Sequence, residues 1–209
     1  MTLAVHQEEA PTTHRHRRRR EVHERILRAA VDRFERQGVE TTKVDDICAV
    51  ADVAQKTFFN HFPTKQHLIR EIASAFLHEL LAILDETRRT AGTTGERLGR
   101  FFTRIADDID AASPMRRDLV MEVIRLVHGD HAEAQQSRRL RASFGVLLRA
   151  GVRAGDVTRA HPMPVLTQVV MGAFYALMLD WVSSENFPMR ARATGVARFL
   201  ADALAAGRR

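Results

Sequence analysis

The segment QKTFFNHFPTK, Gln55 to Lys65, sets amide, ammonium, hydroxyl and imidazole groups among three phenylalanines. Phe58 and Phe62 lie four residues apart, so on a helix they share one face and point into a small core. Gln55, Lys56, Thr57, Asn60 and His61 are then left on the outer side, where a nucleic-acid duplex can be touched. Glutamine and asparagine pair bidentately with adenine, lysine donates to guanine O6 and N7, and threonine serves a thymine methyl or a phosphate. An ordinary solvated helix face carries glutamate and aspartate as well; from Ala54 to Gln66 there is neither.

The elements that must hold this segment read as helices. From Glu21 to Gln37 the residues Val22, Ile26, Ala30 and Phe34, with Leu27 and Val31 beside them, repeat at helical spacing, and Gly38 follows as a stop. Thr42 is placed to cap a second helix, with Asp45 three residues on and Asp46 next to it at the positive end of the helix dipole. Val44, Ile47, Cys48 and Ala51 share a face, which makes Cys48 a small core residue. That helix stops near Ala51–Val53, and Pro63 closes the third. Thr64 caps a long fourth helix to about Thr90, with Leu68, Ile69, Ile72, Ala75, Phe76, Leu80, Leu81 and Leu84 along its inner side. Three short helices, the last two joined by a tight turn, make a helix-turn-helix.

The whole chain fits this reading. It has 209 residues, a formal net charge of +6, frequent alanine and leucine, and few strand-forming runs. That composition predicts an all-α protein with a polyanionic partner, nucleic acid ahead of a membrane surface. The only lysines are Lys43, Lys56 and Lys65, all inside the head; every other basic residue is arginine. One cysteine excludes an intramolecular disulfide and an all-cysteine metal cluster within one chain. No signal peptide is visible, so a cytoplasmic location is expected. Residues 1–20, ending in HRHRRRR, read as a disordered basic arm, either a solvated tail or one that lies on phosphates or enters a minor groove.

The runs ILRAAVDRFERQGVETTKVDDI and ADVAQKTFFNHFPTKQHLI resemble the TetR family of bacterial transcriptional regulators. The shared pattern is a helix ending in glycine, a Thr-Thr-hydrophobic helix start, a short turn, and a Thr-aromatic-aromatic-x-His/Tyr-Phe-x-Ser/Thr-Lys run. It covers about 50 residues closely. The resemblance implies phosphate contacts by Thr42, Lys43, Thr57, His61 and Lys65, base contacts by Gln55, Lys56 and Asn60, and a van der Waals contact of Phe59 with the backbone. Three positions depart from the pattern. Asp52 stands where the turn usually has glycine, Ala54 where a Ser or Thr caps the third helix, and Phe59 where a tyrosine is frequent. The implied organisation is an arm (1–20), a helix-turn-helix DNA-binding domain (21–66) and a larger helical ligand-binding and dimerisation domain (67–209).

Beyond residue 85 further helices are separated by breaks at Thr90–Glu96, Ala112–Met115, His128–His131 and Arg153–Pro164. Val165 to Val182 is the most apolar stretch; Gln168, Asp180 and its marginal length favour a buried helix over a membrane span. The resemblance implies that this helix and the last one, Met189 to Ala206, form a four-helix bundle with a two-fold mate, although both could simply complete the monomer core. In the last helix Val196, Phe199, Leu200, Ala203 and Leu204 share a face. The resemblance also implies a pocket for a small, apolar effector. Its candidate lining is Phe102, Met121, Ile124, Leu147, Met171, Phe174, Tyr175, Met178 and Trp181, with Phe101 and Ile105 beside them; Asp118, Glu122 and Asp180 are possible counter-ions.

Other chemistries find little support. HGDHAE gathers His128, Asp130, His131 and Glu133 without a specific metal-ligand spacing, and no Walker loop, Gly-x-Ser-x-Gly turn or His-Glu-x-x-His helix is present. No cofactor, metal or catalytic residue is expected. The reading is a homodimeric regulator, expected to repress, that binds a palindromic operator in double-stranded DNA and is released by the effector. A basic protein of the membrane surface, or a helical enzyme, is the alternative.

Overall fold

The computed structural model describes residues 14–110, 115–128 and 134–207, with side chains undescribed at 110, 123–128 and 134–137. All the regular elements among them are helices: α1 (His14–Gln37), α2 (Val44–Ala51), α3 (Gln55–His61), α4 (Lys65–Arg89), α5 (Thr94–Asp110), α6 (Met115–His128), α7 (Ala134–Ala154), α8 (Met163–Ser183) and α9 (Met189–Leu204). The only extended pairing among them is an isolated antiparallel bridge, Val157 to Ala205. Two compact units divide between Lys65 and Gln66, within the first turn of α4.

In the first unit, α1 starts earlier than the apolar pattern indicates. His14–Arg20, assigned above to a disordered arm, form its first two turns. Arg17 and Glu21 pair at 3.7 Å and Arg20 and Glu24 at 3.6 Å, each at i,i+4 spacing. Such pairs support a helix without any buried face, so hydrophobic periodicity is silent there. Residues 1–13 lie outside the described residues. Ile26, Ala29, Ala30 and Phe34 form the buried stripe of α1, against Ile47, Cys48 and Ala51 of α2 and Phe58 of α3 within the same small core. The Cys48 thiol is buried, and burial first, then the charge of Asp45, raises its pKa above the ordinary value.

The cap of α2 also falls one residue later than expected. Thr42 is 1% exposed, and its hydroxyl donates to the Gly38 carbonyl at 2.7 Å. Lys43 takes the N-cap position, and its backbone N–H donates to Asp46 Oδ2 at 2.9 Å. At the other end, Asp52 adopts the left-handed conformation (φ 49°, ψ 57°) that the pattern usually gives to glycine. Its N–H still closes the helix on the Cys48 carbonyl, since aspartate enters this region more readily than most residues. Ala54, the N-cap of α3, has extended backbone angles and no side-chain cap bond. That geometry lets a hydroxyl reach the second or third N–H of the helix. Ala54→Ser is therefore expected to stabilise the first unit by about 1 kcal/mol, read as a higher denaturant midpoint; an unchanged midpoint would show that the first turn of α3 has no use for a cap.

The second unit is built on aromatic packing. Phe101 meets Phe102 and Phe144 edge-to-face at 5.5 and 5.4 Å, and Phe174 at 5.7 Å. Asp156, after α7, receives the Thr94 N–H at 2.6 Å and its hydroxyl at 3.0 Å, closing the start of α5. The apolar helix α8 buries Leu166, Val170, Met171, Phe174, Leu177, Met178 and Trp181 within this unit. By length and composition it could cross a membrane, with a mean hydropathy of 1.6 in its most apolar window; here it is a core helix with one open stripe. Val165 and Val169 are each 45% exposed and Leu179 41%. In α9 the predicted apolar face is split. Leu200 and Leu204 are buried, whereas Phe199 is 65% exposed and Ala203 lies in solvent.

Candidate functional site

Phe58 and Phe62 are 0% and 1% exposed, and their rings lie 5.8 Å apart. With these two anchors buried, the opposite side of α3 faces outward. Gln55, Lys56, Phe59 and Asn60 are exposed there, while Thr57 and His61 are half-buried at its margins. Phe59 is 46% exposed although it touches Phe58 edge-on at 5.4 Å, so one face of its ring is left over for a partner. Exposing a phenylalanine on a face otherwise made of Gln55, Lys56 and Asn60 is unfavourable in an isolated domain.

Gln55 is positioned rather than free. Its amide nitrogen donates to Asp45 Oδ1 on α2. One amide hydrogen is thereby committed, leaving the other and the carbonyl oxygen with hydrogen-bonding capacity on the outer side of α3. Lys43 is exposed at the start of α2, beside the end of the loop that follows α1.

Two expected phosphate contacts are placed differently. Thr42 is buried, with its hydroxyl engaged by the Gly38 carbonyl, so its side chain faces the fold. Lys65 directs its ammonium at the carbonyls of Val39, Thr42 (2.6 Å) and Glu40 (3.5 Å), and lies 5.9 Å from the centre of the Phe34 ring. Three ammonium donors meeting three carbonyls clamp the loop between α1 and α2. Its role here is to fix that loop, and hence the start of α2, on which Lys43 sits.

In the second unit an apolar pocket of about 50 Å³ opens between helices α4 to α8. Of the lining residues expected from sequence, Phe174, Tyr175, Met178 and Ile105 are present. Phe102 and Leu147 are fully buried, Met171 nearly so, and they pack in the core rather than line the pocket. Trp181 is 5% exposed and covered by the Arg117 guanidinium at 5.2 Å. Met121 is half-buried and lies outside the lining. Ile124, on α6, and the HGDHAE cluster (residues 128–133) lie outside the residues whose side chains are described. Sequence reasoning missed Phe76, Glu79 and Ile83 of α4, Asp108 and Ile109 of α5, and Arg116 of α6. The polar rim is not the expected one. Glu122 is buried and pairs with Arg70 at 3.6 Å, and Asp180 is exposed. Instead Arg116 spans the rim, 5.4 Å over the Phe76 ring and donating to the Asp108 carbonyl at 2.9 Å. The one available signal was Phe76, whose spacing to Leu80 and Ile83 continues the inner stripe of α4.

Comparison with known proteins fits both units. Residues 26–72 match the family described as bacterial regulatory proteins, tetR family. The chain is 34% identical over 71 residues to the HTH-type transcriptional regulator TcmR of Streptomyces glaucescens; that stretch is 34% of this chain and 31% of the relative, so it spans about a third of the relative's length. Among solved structures, GusR of Salmonella enterica superposes with a TM-score of 0.64 at 23% identity, covering 88% of this chain and 95% of GusR. The transcriptional regulator FadR of Bacillus subtilis, in complex with stearoyl-CoA, gives 0.63 at 17% identity, covering 87% and 98%. At these identities the superpositions establish the fold across most of the chain.

Proposed function

We propose that this chain, whose residues 26–72 match the tetR family of bacterial regulatory proteins, is a homodimeric transcriptional repressor that reads a palindromic operator and leaves it when a small apolar effector binds. The observation that carries the DNA reading is the outer face of α3. Gln55, Lys56, Phe59 and Asn60 are displayed there together, with no acidic residue from Ala54 to Gln66. Lys56 and Asn60 read base edges, Gln55 does so in the orientation Asp45 gives it, and Phe59 rests on the sugar-phosphate backbone. Lys43, Thr57 and His61 hold phosphates at the two ends of the reading helix. Lys65 contributes by holding the loop that presents Lys43.

One α3 spans too few base pairs for useful specificity, and a two-fold dimer doubles the contact. The exposed Val165, Val169 and Leu179 of α8 and Phe199 of α9 support pairing of these helices with those of a second copy. The effector pocket has room for little more than a few waters, so an effector of several rings or a long acyl chain must spread its walls. Phe76, Leu80 and Ile83 make α4 one of those walls, and α4 begins where the reading head ends. An effector that binds the spread conformer more tightly shifts the population toward it and away from the one that fits the operator.

The test is selection of bound duplexes from a random pool by the full chain at near-physiological salt. A palindromic consensus with half-site centres ~34 Å apart, or a multiple of that, is expected. Recovery of no preferred sequence, together with tight binding to anionic vesicles, would replace this reading with that of a membrane-surface protein.

A further inference from the structure

The reading head has a second basic feature. The first turns of α1 bring His16, Arg19, Arg20 and His23 around an open recess of about 280 Å³, and His61 at the end of α3 completes its lining. None of the five lining residues is acidic. The two glutamates on this part of α1 are already tied, Glu21 to Arg17 at 3.7 Å and Glu24 to Arg20 at 3.6 Å. The histidines are held in place by aromatic packing. The His23 ring stacks on Phe62 at 4.5 Å and lies 5.6 Å from the His61 ring. His61 follows Asn60 directly, so the recess adjoins the base-reading face.

We propose that this recess seats a phosphodiester of the DNA backbone next to the base pairs read by α3, with permanent charge from Arg19 and Arg20 and pH-dependent charge from His61. The inference rests on the DNA-binding reading above. Glu24 pairs with Arg20, but the lining itself holds no acidic residue, and a phosphate seated beside Arg19, His23 and His61 offsets their mutual repulsion, its oxygens accepting from guanidinium and imidazolium alike. The free protein bears the mark of that conflict: burial first, then the charges of His23 and Arg19, pushes His61 below the ordinary imidazole value. Other charged groups of these elements include Arg15, Arg17, Arg18, Arg25 and Arg28 and the paired Glu21 and Glu24 on α1, His16 in the lining, Lys56 on α3, and Asp52 in the turn before α3, whose carbonyl receives Arg25 at 3.4 Å.

The sign follows from linkage. A phosphate raises the pKa of the histidines it contacts, so binding takes up protons. Affinity therefore increases as pH falls through the bound-state value and levels off below the depressed free-state value.

The experiment measures affinity of the full chain for the selected duplex between pH 8 and pH 6 at constant ionic strength. Affinity is expected to rise on acidification, by up to about tenfold per pH unit for each proton taken up. His61→Gln should flatten that dependence while sequence preference persists. Arg19→Gln, a change on an exposed side chain, should keep the pH dependence and lower the slope of log affinity against log salt by ~0.9. Neutral methylphosphonate linkages, introduced one at a time, should locate a single backbone position whose replacement removes the pH dependence. Sequence-specific binding that is flat with pH, with wild-type salt slope in Arg19→Gln, overturns the seat but leaves the regulator reading intact. Loss of all specific binding at every pH overturns both. If inorganic phosphate alone shifts the His23 and His61 proton resonances as strongly as the duplex, the recess is a small-anion site and the DNA seat is wrong.

Discussion

Phe58→Ala is expected to unfold the reading head while the second unit stays folded. The ring is 0% exposed, packed with Phe62 at 5.8 Å, and α3 has seven residues with no side-chain cap to hold it otherwise. Removing a buried phenylalanine costs about 3–5 kcal/mol through lost transfer energy and an unfilled cavity. A unit ending at Lys65 has little stability to spare, because small cores bury a low fraction of their surface. The second unit keeps its own aromatic core of Phe101, Phe102, Phe144 and Phe174. Amide exchange should then separate the two: residues 26–62 exchange at the rate of an open chain, residues 98–105 and 166–181 remain protected, and operator binding disappears. Phe58→Leu should recover most of the protection. A Phe58→Ala protein with full protection across α2 and α3 would mean that the head is not packed on this ring.

The head was largely legible because its spacing rules are local. Phe58 and Phe62 four residues apart define which side of α3 is inside, and everything proposed about the base-reading face follows. The left-handed turn could be placed at Asp52 from the resemblance, since aspartate is one of the few substitutes that position accepts. Errors arose where a polar group chose between partners. Thr42 had an orphan N–H of α2 and the Gly38 carbonyl within reach, and it took the carbonyl. Lys65 had a hypothetical phosphate and three real carbonyls, and the fold claimed it. Neither choice is written in the residue type.

The second unit was legible as helices but not as a site. Ala75 was expected inward and is exposed, whereas Leu77 is fully buried. The buried stripe of α4 runs through Ile69, Ala73, Leu77, Leu80 and Leu84, turned slightly from the face expected through Ala75. Phe102 and Phe174 are chemically equivalent in sequence, yet only Phe174 reaches the pocket. Which apolar residue lines a cavity depends on where three or more helices fail to close, a property of tertiary packing. The exposed Phe199 is the opposite case. Its periodicity placed it with Leu200 and Leu204, and only the structure separates the face that fills the core from the one left open.

Lys56→Ala and Asn60→Ala, made singly, are expected to relax sequence preference at one position of each half-site and to leave folding unchanged. Both side chains are exposed on the face opposite Phe58, so their removal opens no cavity. A good base contact discriminates by about 1–3 kcal/mol, and a two-fold dimer makes it twice. Specific affinity should therefore fall by roughly 30-fold to some tens of thousands-fold, with non-specific binding of Asn60→Ala unaltered. The two variants differ in salt response. Lys56 also contributes a charge near the phosphates, so Lys56→Ala should lower the slope of log affinity against log salt, and Asn60→Ala should not. Repeating the duplex selection with each variant assigns the base position each one reads. An unchanged consensus from either variant would remove that residue from the reading face. Unchanged consensus from both would shift base recognition to Gln55, the one remaining amide on α3, and make its tether to Asp45 the determinant of what the helix reads.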